Sequence, residues 1–193
     1  PVAMADISDL KMTIVTNDPT KRYYYTLLFD DKYRVKIATR NINIPGVQNF
    51  RDLGGYPSYS TKKQMRWGMI YRSAEIDSLE CSSRRELKNL GIKTLIDLRA
   101  SSEIGRQSPL QKGFNVVHIP LATGDMEGIL KGIREEKIKS DTVYRMVERM
   151  NRVLIDQYTK EYRQIFDILL DKNSYPVVIH CSSGKGRTGI VSA

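Results

Sequence analysis

Three stretches of alternating or β-branched residues open the chain: KMTIVT (residues 11–16), RYYYTLLF (22–29) and YRVKIAT (33–39). Alternation sends successive side chains to opposite faces, so three strands are expected there. Asn17-Asp18-Pro19-Thr20 and Asp30-Asp31-Lys32, which separate them, carry turn chemistry. Three strands bury little alone. Residues 1–43 are therefore expected as a β-rich module, either the end of a β-sandwich or a β-appendage packed on a neighbouring domain. Tyr23, Tyr24 and Tyr25 are expected in strand packing rather than as a binding surface.

The pattern changes at Ile44. KTLIDLR (93–99), NVVHI (115–119) and PVVI (176–179) are short apolar runs flanked by helical periodicity. Such runs belong to strands covered on both faces, so residues 44–193 are expected as an α/β domain, a mainly parallel sheet flanked by helices. Ser83-Arg84-Arg85-Glu86 has capping-box spacing, with Gly91 as the matching helix stop. Between Pro120 and Pro176 two apolar faces recur at helical spacing: Val143, Val147, Met150 and Leu154, then Tyr162, Ile165, Phe166 and Leu169. The second face is expected in the core. The first reads either as a surface helix or as a lid over the site. Chemistry in parallel sheets collects at the carboxyl ends of the strands, where Asp97, Arg99 and the loop after Ile179 should emerge.

That loop reads HCSSGKGRTG (residues 180–189). Ser182, Ser183, Gly184 and Gly186 have little or no side chain, so their N–H groups can converge on one point. Arg187, Thr188 and Gly189 then open a helix whose N-terminus faces the same point, which makes an anion site. Converging amides and a helix dipole favour the thiolate of Cys181. Arg187 can fork two hydrogen bonds onto a phosphate. A nucleophile, an anion cradle and a clamp together fit phosphoryl transfer through a phosphocysteine. The glycine spacing and the missing Lys-Ser/Thr pair exclude the nucleotide-binding P-loop.

His180-Cys181 with Arg187-Thr188-Gly189 resembles the signature of cysteine-dependent tyrosine and dual-specificity phosphatases. IPGVQNFRDLGGY (44–56), IYRSAEI (70–76) and LGIKTLIDLRASSE (90–103) narrow the likeness. They are similar to blocks of bacterial tyrosine phosphatases related to the mycobacterial secreted phosphatase B. The resemblance runs over residues 44–193. It implies a protein tyrosine or dual-specificity phosphatase that needs no cofactor and no metal, with Cys181 and Arg187 catalytic. Ser182, Ser183, Gly184, Lys185, Gly186, Arg187 and Thr188 would hold the phosphate.

Close relatives often carry Asp immediately before the signature arginine, where this chain has Gly186, so the proton donor must come from elsewhere. Asp97 matches the family's Asp-Leu-Arg block. Asp125 follows HIPLATG, where dual-specificity phosphatases carry their acid loop. Asp97 is the favoured of the two, and His118 and His180 are expected to be hydrogen-bonded structural residues. Gly184-Lys185-Gly186-Arg187 is also similar to the loop of phosphoinositide phosphatases. A phosphoinositide or inositol phosphate is thus the alternative to a phosphotyrosine protein. A phosphate-binding interaction module without turnover is the alternative from another class.

Composition narrows the partners. Residues 1–43 hold 7 basic and 5 acidic side chains of the chain's 31 and 22, so +7 of the +9 net charge falls on residues 44–193. That excess suits an anionic substrate. No basic run interleaves with aromatics, so nucleic acid is not expected. Cys81 and Cys181 are the only cysteines, which excludes a disulfide scaffold and argues against a zinc cluster, with Cys81 a bystander. No apolar run is long enough to span a membrane. The chain opens on Pro1 without a methionine; if a leader was removed, an exported or periplasmic location is favoured over the cytoplasm. The last helix has under two turns before Ala193, so the phosphatase domain is expected to be incomplete at its carboxyl end.

Overall fold

The computed structural model describes residues 3–6, 8–9, 11–16, 21–77, 79–104, 113–124 and 126–193. The expected turn at Asn17-Asp18-Pro19-Thr20 and the candidate acid Asp125 lie outside the described residues.

At the amino-terminal end two strands form rather than three. β1 (Tyr24–Phe29) pairs antiparallel with β2 (Tyr33–Ala38). The turn has Asp30 and Asp31 at φ 49 and 55, a left-handed conformation that Asp tolerates better than most residues. KMTIVT lies in no strand, and Val15 is 87% exposed. Alternation without a neighbouring ladder gains nothing, which is why its pattern misleads. The register puts Tyr25, Leu27, Phe29, Tyr33, Val35 and Ile37 on one hairpin face, and none of them is buried. Tyr23 and Tyr25 stack with ring centroids 6.4 Å apart.

Polar anchors attach the hairpin to the rest of the chain. Arg22 Nη2 donates to Asp52 Oδ2 at 2.7 Å. The Trp67 indole N–H donates to the Lys36 carbonyl at 2.9 Å. Asp52 is fully buried and also accepts from the Gly54 and Gly68 amides at 2.7 and 2.8 Å, so the charge of Arg22 is matched by a rigidly held carboxylate.

The remaining elements are β3 (Arg51–Asp52), β4 (Pro57–Ser58), β5 (Lys63–Gln64), β6 (Ile70–Ser73), α1 (Cys81–Asn89), β7 (Thr94–Asp97), β8 (Asn115–His118), α2 (Met126–Arg134), α3 (Ser140–Gln157), α4 (Thr159–Leu170), β9 (Val177–His180) and α5 (Gly186–Ser192). A five-stranded sheet runs in the order β3-β6-β9-β7-β8. All its pairs are parallel except β3 with β6. Its alternating side chains feed two cores. Tyr71, Leu95 and Val178 pack with Leu87 of α1 and Phe50 on one face. Ile96, Val177 and Ile179 pack with Leu154 of α3 and Ile165 of α4 on the other.

Helix ends depart from the sequence pattern in one place. α1 begins at Cys81 with Glu80 as its cap, and Ser83 makes no capping box. Ser83 Oγ instead donates to the Pro45 carbonyl at 2.6 Å, a tertiary bond that outcompetes the local one. Gly91 closes the helix at φ 73 as expected. Along α3, Leu154 is fully buried, Met150 and Val143 are half-buried and Val147 is exposed, so only part of this face is covered. In α4, Phe166 is 60% exposed and is not part of the core face; Tyr162, Ile165 and Leu169 are joined there by Ile168.

Candidate active site

The carboxyl ends of four adjacent strands align in register: Ser73 of β6, His180 of β9, Asp97 of β7 and His118 of β8. Cys181 leaves β9 at this edge and is 1% exposed. Burial pushes its thiol pKa up, but Thr188, the Arg187 charge and the Gly184 amide together pull it below the ordinary value. Thr188 Oγ1 is buried without a hydrogen-bond partner of good geometry among the described residues, yet its hydroxyl is near enough to the sulfur to help lower the thiol pKa.

The loop from Ser182 to α5 is pressed against the end of β6. Gly184 sits at φ 66, and a Cβ there would come within 2.4 Å of the Ser73 carbonyl carbon and oxygen. Only glycine fits that approach. Lys185 is exposed, and its ammonium makes no ion pair among the described residues. Gly186 is exposed at the start of α5; a Cβ on it would lie 4.0 Å from the Met150 methyl of α3.

Arg187 is 7% exposed. Its Nη1 and Nη2 fork onto Glu103 Oε2 and Oε1 at 2.5 and 2.7 Å. Nη1 also approaches the Leu98 and Leu121 carbonyls at 3.4 and 3.3 Å. Glu103 is fixed in turn by the Ser182 hydroxyl at 2.6 Å and the Ala100 amide at 2.7 Å. The Arg187 hydrogen bond leads these effects in holding the Glu103 carboxyl down at about 2. Glu103 therefore fixes the orientation of the Arg187 guanidinium. The sequence reading missed it, although it closes the LGIKTLIDLRASSE block, because no periodicity marks a partner 84 residues away.

Asp97 is brought to the same edge, but its carboxylate is already engaged. Arg99 donates to it from Nε at 3.0 Å, from Nη2 at 2.7 Å and from its backbone amide at 3.0 Å. The same guanidinium reaches Asp77, at 2.7 Å from Nη2. Burial raises the Asp97 pKa, yet these bonds outweigh it and leave the carboxyl below its usual value. His118 is hydrogen-bonded as expected, through Nε2 to the Arg99 carbonyl at 2.7 Å. His180 is not. It is fully buried, neither ring nitrogen has a hydrogen-bond partner among the described residues, and burial pushes its pKa down to about 4.

Fold and site define a class: an α/β protein with a buried cysteine at the end of a central strand, followed by a glycine-containing loop and a helix. The profile of the tyrosine phosphatase family matches residues 42–193, and the chain belongs to that family. The triple specificity protein phosphatase PtpB of Mycobacterium tuberculosis is 30% identical over 172 residues, covering 78% of this chain and 60% of that protein. A putative tyrosine-protein phosphatase of Cupriavidus necator is 26% identical over 149 residues, covering 76% and 53%. This chain thus spans little more than half the length of these relatives. A crystal structure of P. aeruginosa TpbA is a distant likeness at 16% identity and a TM-score of 0.34, over 72% of this chain and 65% of that one.

Proposed function

We propose that this chain carries the catalytic site of a protein tyrosine or dual-specificity phosphatase, with Cys181 as nucleophile and Arg187 as phosphate clamp. The observation that carries the reading is the thiol of Cys181, held below its ordinary pKa at the floor of a loop rimmed by a guanidinium. The thiolate attacks phosphorus, a phosphorus–sulfur bond forms, and the ester oxygen leaves with a proton. Water then attacks the phosphocysteine, releasing inorganic phosphate and restoring the thiolate. Arg187 and the loop amides offset the charge that builds on the phosphoryl oxygens.

The proton donor in this reading is Asp125 in preference to Asp97. An ionised carboxylate saturated by Arg99 has no proton to give, so Asp97 is assigned to hold Arg99 and the strand edge. Asp125 follows HIPLATG, the sequence position at which the resemblance to dual-specificity phosphatases implies an acid loop. A general acid contributes about 10²–10⁴-fold. Asp125→Asn should slow aryl phosphates with poor leaving groups by that order and spare good ones. Asp97→Asn should lower both alike; a leaving-group dependence in that variant would return the donor role to Asp97.

Phosphotyrosine proteins are the first substrate class. The second reading, an inositol phosphate or phosphoinositide, is favoured by one observation, the exposed Lys185 of the loop, which makes no ion pair among the described residues. The word "triple" in the mycobacterial relative's name also leaves room for more than one ester class. Lys185→Ala separates the two when both substrates are assayed at one ionic strength. Similar modest losses support phosphotyrosine, and a collapse confined to the inositol substrate supports the alternative. EDTA should leave turnover unchanged, because in this reading the thiolate supplies the nucleophile and Arg187 with the loop amides the opposing charge.

A further inference from the structure

Amides can converge on an anion only if the carbonyls of the same peptides diverge, and each diverging carbonyl buried in protein needs a donor. Four consecutive carbonyls of the loop find one. The Ser182 carbonyl accepts from the Glu75 amide at 3.2 Å. Those of Ser183 and Gly184 both accept from Asn49 Nδ2 at 3.1 Å. Arg72 Nη2 reaches the Gly184 and Lys185 carbonyls at 2.8 and 3.1 Å, and the Gly189 amide reaches Lys185 at 2.8 Å.

The two side-chain donors are themselves aimed. Asn49 stands at φ 60, in the left-handed region that Asn tolerates. Arg51 Nη1 donates to its Oδ1 and, at 3.2 Å, to its carbonyl. With a cation on Oδ1, the amide nitrogen has to face the loop, and its two hydrogens match its two carbonyl acceptors. Arg51 and Arg72 are directly paired across β3 and β6. Two guanidinium groups side by side repel unless something opposes them. Burial and the Arg51 charge hold the Arg72 pKa below its ordinary value, and the Cys181 thiolate opposes them, while the loop carbonyls accept from its Nη2.

We infer that Asn49, Arg51 and Arg72 are positioning residues for phosphoryl transfer: they hold the loop's carbonyls outward so that its amides face the phosphate and the thiolate. None of the three is required to touch substrate, and the inference rests on the phosphatase reading above. It explains why NFRD of the first block and YRS of the second occur in a chain whose chemistry lies more than a hundred residues later, since the bonds from Asn49 and Arg72 to Gly184 span 135 and 112 residues.

The test reads the loop without relying on turnover. Alkylation of Cys181 by iodoacetamide is followed on the Cys181 peptide against pH, with and without inorganic phosphate, alongside the thermal midpoint. Asn49→Gly keeps the positive φ and removes the Nδ2 donor together with the Oδ1 that Arg51 holds. It should raise the apparent thiolate pKa by about one unit and weaken phosphate protection about tenfold, the size expected for losing hydrogen bonds that favour an anion. Arg72→Met should do the same, and Arg72→Lys, which can still reach one carbonyl, should recover part of the loss. Unchanged pKa and phosphate protection in Asn49→Gly and Arg72→Met would overturn the inference, and so would a lowered midpoint with both readouts intact. If Asn49→Gly does not fold, the Arg72→Met and Arg72→Lys pair decides by the same readouts. Were Cys181 found dispensable for turnover, the phosphatase reading would fail while the alkylation experiment still judged the loop.

Discussion

The β1–β2 hairpin and the β7–β9 pair are made of the same residue types, yet Ile37 in the first is 37% exposed while Ile96 in the second is fully buried. Both pairs have good ladders. They differ in what lies above and below. Leu95 and Ile96 of β7 enter opposite cores, one against α1 and one against α3 and α4. The hairpin is held to the sheet by anchors such as Arg22–Asp52 and Trp67–Lys36. Full burial of an aliphatic side chain stabilises by about 1.5–3 kcal/mol, so stability concentrates in the sheet that carries the site. The candidate site takes its geometry from that sheet edge, and none of its residues lies in the hairpin.

The comparison is broken most severely at Arg99, which is 1% exposed among three carboxylates. Arg99→Leu leaves buried Asp97 without its partner and should cost about 3–5 kcal/mol in urea unfolding. pH should act on the same edge. The His180 pKa is depressed from 6.5 to about 4 in the folded protein. Its contribution is therefore complete above pH 6.5 and is lost as pH falls toward 4, while the unfolded chain takes up a proton the folded one refuses. The loss should approach about 3 kcal/mol at pH 4, and His180→Gln should flatten that limb of the stability profile.

Gly184→Ala acts on the loop rather than the sheet. Its methyl would meet the Ser73 backbone, so the loop must shift, and a displacement near 1 Å can lower kcat about 10²-fold. The smallest effect belongs to the hairpin. Val35→Thr and Ile37→Thr alter exposed positions and should change stability by about 0.5 kcal/mol or less, with kcat unchanged. A large kcat loss in either would mean that the hairpin reaches the site after all.

Much of this was legible before any coordinates. β7, β8, β9 and the anion loop announce themselves as continuous apolar runs and an ordered cysteine–glycine–arginine string, because burial on both faces and a tight turn each restrict residue type locally. KMTIVT mimics a strand because alternation records a two-sided environment without naming the partner. Glu103, Asn49 and Arg72 escaped for the opposite reason: they act across 84, 135 and 112 residues, and a single long-range polar contact leaves no period in the sequence. Asp97 was visible, and so was Arg99 two residues on; what the sequence does not show is that the guanidinium turns back onto that carboxylate and decides its protonation.

The most direct test of the central claim is to trap the intermediate. An aryl phosphate is mixed with the wild-type chain and with Cys181→Ser, the reaction is quenched in acid, and the phosphorylated peptide is mapped. The account predicts a phosphoryl group on Cys181 during wild-type turnover, with no turnover and no adduct in Cys181→Ser, which still binds inorganic phosphate. Near-wild-type turnover in Cys181→Ser, or a phosphoryl group on another residue, would contradict it.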